Sequence, residues 1–135
     1  VKVLLDTHVW IWWLLASERL SPRERRFLDQ LAAAGGAHLS AMSLWEAQML
    51  HSKGRLSLDR PFAAWLRQAT APGVVVVLSL DVDVVVALDH LPQSFHGDPA
   101  DRLIVATALI HGLPLATQDS AIQASGVIPL WEPSA

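Results

Sequence analysis

Some of the thirteen acids in this chain stand where a carboxylate is least comfortable. Asp6 ends the apolar run Val1–Leu5, and Thr7 and His8 follow before apolar residues resume with Trp10, Trp12 and Trp13. Burying a carboxylate between two apolar runs is costly unless something pairs with it. Asp6 therefore needs a structural partner or a chemical role. Glu46 in SLWEAQML, Asp98 and Asp101 in HGDPADR, and Asp119 in ATQDS are the other acids flanked by apolar elements. Like charges brought together raise one another's pKa, so such a set needs a cation to stay ionised. The chain has no cysteine, and its six histidines lack a ligand spacing such as HxxxH. Oxygen ligands alone favour Mg²⁺ or Mn²⁺ over Zn²⁺. A metal held that way polarises a phosphoryl oxygen and generates hydroxide from water, the chemistry of phosphodiester hydrolysis.

The elements between these acids determine whether they meet. Val1–Leu5 reads as a strand buried on both faces, and His8–Ala16 as a helix packed on a sheet. Ser21-Pro22 starts a second helix with Ser as N-cap and Pro at the first position, ending at Gly35-Gly36. Ala37–Ser40, Val74–Leu78, Leu115–Thr117 and Val127–Trp131 read as further strands. Helices are expected over SLWEAQMLHSK, FAAWLRQA, DVDVVVALDHL and PADRLIVATALIH, with a helical turn at Ser120–Ala124. Strands alternating with helices imply parallel pairing in a three-layer α/β domain. In an open parallel sheet, ligands bind beyond the carboxyl ends of the strands. Asp6, Asp119 and the helices carrying Glu46 and Asp101 all belong to that edge.

Each acid also has a structural reading. Asp98 before Pro99 is an expected N-cap, and Asp101 three residues later could complete a capping box. Glu46 follows Ser43 by three, a literal capping box unless Ser40 is the true cap. Asp119 could be a turn or cap residue before Ser120. The histidines (8, 38, 51, 90, 96 and 111) read as surface or helix-end residues. Trp10, Trp12, Trp13, Trp45 and Trp65 read as core or interface ahead of base-stacking platforms. Arg23, Arg25 and Arg26, or Lys53 and Arg55, could touch a phosphate backbone, although a solvated helix face is the default.

Composition bounds the rest. At 135 residues, the expectation is one domain over 1–135 with a real hydrophobic core. With 52% apolar residues, the chain is greasier than an average soluble domain, which suggests an apolar contact surface for a partner. No apolar run is long enough to span a bilayer, and the first residues fit a signal peptide poorly. The lack of cysteine fits a reducing cytosol. Residues 1–67 carry a net charge of +3 and residues 68–135 one of −6, as a basic face beside an acidic pocket would give.

The blocks LLDTHVWIWWL, SAMSLWEAQML with HSKGRL, HGDPADRLIVATAL and LPLATQDSAI come in that order and span Leu4 to Ile122. Together they resemble the PIN-domain family, and within it the VapC-type toxins of bacterial toxin–antitoxin pairs. The resemblance implies a parallel five-stranded sheet in the order 3-2-1-4-5. It also implies a Mg²⁺- or Mn²⁺-dependent endoribonuclease that acts on RNA and is silenced by a cognate antitoxin. A homodimer and a cytoplasmic location are implied as well. The family's acids fall on Asp6, Glu46, Asp101 and Asp119 as catalytic and metal-holding residues. Asp98 matches an extra acid, and Thr7 and Thr117 match hydroxyl positions that support the site. Ala100 stands where the family's DPFDR form has an aromatic. Two readings stay open beside the toxin: a PIN nuclease of RNA maturation or decay, and a catalytically silent RNA- or protein-binding module.

Overall fold

β1 (Val3–Leu5) is the buried centre of a parallel sheet, with β2 (Ala37–Ser40) beside it and β3 (Val76–Leu78) beyond β2. On its other side β1 pairs with β4 (Leu115–Ala116), giving the order β3-β2-β1-β4. The structure is a computed structural model that describes residues 1–93, 95 and 97–133, so the expectation for His96 lies outside the described residues.

The side chains of β1 alternate between two apolar clusters. Val3 and Leu5 belong to one, Leu4 to the other, and all three are fully buried. Both faces must therefore be covered, as a parallel sheet requires. The Val3/Leu5 face receives α1 (Thr7–Leu14), α2 (Pro22–Ala33) and α4 (Phe62–Ala69), with Trp10 and Trp65 tilted together at 5.5 Å. The Leu4 face receives α5 (Val82–Asp89), α6 (Pro99–His111) and α7 (Ser120–Ser125). α3 (Ala41–Ser52) packs Ala47 into the first cluster and lays Met42 against the second.

The helix starts follow from their caps. Ser21 and Glu24 form a full capping box on α2, with Pro22 at the first position. Ser40 caps α3 by accepting from the Met42 amide at 3.1 Å, so Ser43 and Glu46 form no capping box there. Asp98 caps α6 through the Asp101 amide at 2.8 Å, and α6 stops at Gly112, whose φ of 64° suits a residue without Cβ.

Three expectations change. Val1 lies outside the first strand and is 95% exposed. The run Val74–Leu78 narrows to β3 at the sheet edge, where Val76 and Val77 are exposed. The fifth strand expected at Val127–Trp131 is reduced to one parallel bridge, Leu115 to Leu130. In that bridge the Leu115 amide donates to the Pro129 carbonyl and the Trp131 amide donates to the Leu115 carbonyl, both at 2.9 Å. Gly126 in a left-handed turn shortens the segment on one side, and the prolines at 129 and 133 remove ladder donors. The sheet thus has four strands, in the expected order for those four.

Candidate active site

The carboxyl ends of β1, β2 and β4 open onto a cleft of about 430 Å³ that gathers the acids read from the sequence. Asp6, Glu46, Asp98, Asp101 and Asp119 all line it. Asp6 sits directly after β1 and is 5% exposed. Its Oδ1 accepts from the Thr7 amide at 2.8 Å, and its Oδ2 accepts from the Thr117 hydroxyl at 2.7 Å. Glu46 reaches in from the second turn of α3, and its Oε1 accepts a hydrogen bond from the Thr7 hydroxyl. Ser43 Oγ, fully buried, lies 2.7 Å from that same hydroxyl. Thr7 therefore ties the acid of one strand end to the acid of the next through its amide and its side chain.

The β4 side is built similarly. Thr117 Oγ1 accepts from the Asp119 amide at 3.0 Å while donating to Asp6. Asp119 caps α7 through the Ile122 amide at 3.0 Å. Asp98 and Asp101 come from the start of α6. Arg102 pins the segment before this helix by donating to the Phe95 carbonyl at 2.6 Å, with its guanidinium over the Phe95 ring. Gly97 is required by close approach: a Cβ there would lie 2.8 Å from Phe95 Cζ and 3.0 Å from Asp101 Cβ.

The electrostatics fit a set of acids crowded by like charge. Burial pushes Asp6 above the ordinary carboxylate range, against the opposing effect of its bond from Thr117. Burial also raises Glu46, again against its bond from Thr7. Asp101 is pushed up to about 7, by burial first and then by the charges of Asp98, Asp6, Asp119 and Glu46. Among the described residues no group of three or more His, Asp or Glu side chains forms a ready-made metal cage. The cleft is instead an open acidic wall. This suits Mg²⁺, which keeps several waters and takes one or two carboxylates directly.

His8, Trp12, Arg19 and Gln118 line the same cleft, and the sequence did not single them out as site residues. His8 is exposed and tilts against Trp12 at 5.5 Å, and its charge acts to lower Asp6 and Glu46. Trp12 is thus partly core and partly cleft, whereas Trp10 and Trp65 are buried and Trp45 is 51% exposed. His38 departs from the surface expectation, being a buried β2 residue whose Nδ1 lies 2.9 Å from the Gly36 carbonyl. Arg23, Arg25, Arg26, Lys53 and Arg55 do not line the cleft; Arg19 does.

The five acids gather at one edge of a parallel sheet covered on both faces, and residues 3–126 match the PIN domain model. The chain belongs to the PIN-domain family. It is 38% identical over 124 residues to ribonuclease VapC22 of Mycobacterium tuberculosis (strain ATCC 25618 / H37Rv), covering 90% of this chain and 89% of that protein. Among solved structures it is similar to VapBC2 from Rickettsia felis bound to a DNA fragment from their promoter. That match has a TM-score of 0.75 at 15% identity, over 97% of this chain and 98% of the other. FitAcB from Neisseria gonorrhoeae matches with a TM-score of 0.70 at 23% identity, over 98% of both chains. These structural likenesses support the fold.

Proposed function

We propose that this protein is a metal-dependent endoribonuclease, the toxin of a toxin–antitoxin pair, and that the acidic cleft is its active site. The observation that carries this reading is the convergence of Asp6, Glu46, Asp98, Asp101 and Asp119 on one cleft, with Asp101 pushed up to about 7 by burial and the neighbouring charges. The sequence relative named a ribonuclease supports the substrate class. Asp6, Glu46, Asp101 and Asp119 would hold Mg²⁺ or Mn²⁺, directly or through water, and such a cation would supply polarisation of a phosphoryl oxygen and activation of water at neutral pH. Thr7, Ser43 and Thr117 orient the carboxylates of Asp6 and Glu46, the kind of support that fixes ligand geometry. Asp98 acts first as the cap that sets the start of α6, and so places Asp101.

Similarity to toxin–antitoxin assemblies supports an antitoxin partner, and the homodimer rests on the family resemblance alone. The exposed apolar residues Trp45, Val82, Val85, Val86, Leu109 and Ile110 give such partners surface to cover. No helix among the described residues is long and apolar enough to cross a membrane; the cytoplasmic location rests on the family resemblance. The test is cleavage of labelled single-stranded RNA by the purified protein with Mg²⁺ or Mn²⁺, with and without chelator. Asp6→Asn is expected to fold normally and to lose activity on the order of 10²–10³-fold. Cleavage undiminished by chelation or by Asp6→Asn would overturn the reading.

A further inference from the structure

We propose that Arg19, laid on the ring of Trp12 at the mouth of the acidic cleft, binds the phosphate next to the scissile one in the substrate strand. The inference deepens the nuclease reading and rests on it. Arg19 lines the same cleft as the five carboxylates. Even so, it pairs with none of them: the one ion pair among the described residues is Arg60 with Asp59. Its guanidinium lies 5.3 Å from the Trp12 ring centroid. A guanidinium held on an aromatic face keeps its charge and presents its planar N–H fork outward, the geometry that matches a phosphate.

The backbone shows that this placement is built. Ala16 takes a left-handed φ of 51°, and the Ser17 amide donates back to the Trp12 carbonyl at 2.9 Å. The Arg19 amide donates to Ser17 Oγ at 3.1 Å, and Leu20 beside it is 2% exposed. On the far side, Gln118 Nε2 donates to the Arg19 carbonyl at 3.2 Å, which joins this loop to the turn bearing Asp119. Arg19 is thus anchored to the acidic wall by the residue adjacent to one of its acids. An acidic cleft repels a polyanion until cations neutralise it. A metal at the carboxylates answers for the scissile phosphate, and Arg19 answers for its neighbour along the strand.

The test measures binding and cleavage of a labelled mixed-sequence single-stranded RNA, using the full chain and a series of KCl concentrations. Binding is followed by anisotropy with Ca²⁺ in place of Mg²⁺. Arg19→Ala is expected to raise KM about tenfold, the loss of one charge-assisted contact, with a smaller change in kcat. It is also expected to flatten the plot of log affinity against log salt by about 0.7, one single-strand phosphate contact. Arg19→Lys should restore most of that slope. Arg23→Ala, outside the cleft, should leave the slope as it is. Wild-type KM and slope in Arg19→Ala, with RNA still cleaved, overturn the inference and leave the nuclease reading standing. A fall in activity that tracks a lower melting temperature also overturns it, by making Arg19 structural. RNA binding that depends on Arg19 without cleavage of any RNA would show a phosphate contact there but overturn the nuclease reading, and with it the placement beside a scissile phosphate. Absence of both binding and cleavage overturns both.

Discussion

The two halves of the acidic wall are held in different ways. Asp6, directly after β1, and Glu46, in the second turn of α3, are buried and receive hydrogen bonds from Thr7 and Thr117, with Ser43 behind Thr7. Asp101 sits at the start of α6 and is pushed up to about 7 by burial and by four neighbouring acids. The first half is organised by the fold itself, through donors in place before any ligand arrives. The second half carries electrostatic repulsion that a bound cation would relieve. One half sets geometry, and the other creates the demand for charge.

Three experiments would break or sharpen that contrast. The largest effect is expected from Thr7→Val, which keeps the shape and removes the hydroxyl shared by Glu46 and Ser43. Activity should fall about 10–100-fold, the cost of losing an outer support of a metal site. Denaturant unfolding should show a loss of about 1–3 kcal/mol from the unsatisfied buried groups. Wild-type activity in this variant would mean that the buried half is not what orders the site.

The second experiment addresses the repelling half through pH. The folded pKa of Asp101, about 7, lies above its ordinary value of 3.8. Folding therefore favours the protonated form: the contribution is fully present below about pH 4 and is lost as pH rises toward 7. Without divalent cation, stability should decline across that window, and Mg²⁺ should restore it at neutral pH. Asp101→Asn should flatten the profile and stabilise the metal-free protein at pH 7 by about 1–2 kcal/mol, after allowance for solvent screening. Melting curves against pH, with and without Mg²⁺, measure this directly. A decline of equal size in Asp101→Asn would place the repulsion elsewhere.

The smallest effect is expected from Asp98→Asn, since Asn caps a helix as well as Asp does. Stability should shift by less than about 0.5 kcal/mol, within the usual range for a surface change, and cleavage should stay within a few-fold. A loss approaching that of Asp6→Asn would make Asp98 a metal-holding acid as well as a cap.

Much of this was readable in the residues because it is encoded locally. Ser21-Pro22 and Asp98-Pro99 announce helix starts through cap chemistry, and Gly112 announces a stop. Asp6 after a buried strand marks the functional edge. Features set by distant neighbours were not readable. Val127–Trp131 has the apolar content of a strand, but its pairing is limited to one bridge by prolines and a left-handed glycine. Arg19 carries no local signal in the sequence; its loop is joined to the cleft by Gln118, far along the chain. Ser43 looked like a cap; its role beside Thr7 depends on Ser40 taking the cap instead.

Thr7 has one further consequence, for protons. Its hydroxyl carries a single hydrogen, and that hydrogen is given to Glu46, so Ser43 must give its own to Thr7. The three groups form a one-way relay ending on the carboxylate. To protonate Glu46 on the oxygen that Thr7 contacts, both hydroxyls would have to turn together, inside a core where each is fully buried. The polarity of this small relay keeps that oxygen an acceptor and leaves the other Glu46 oxygen as the one open to a proton or a cation.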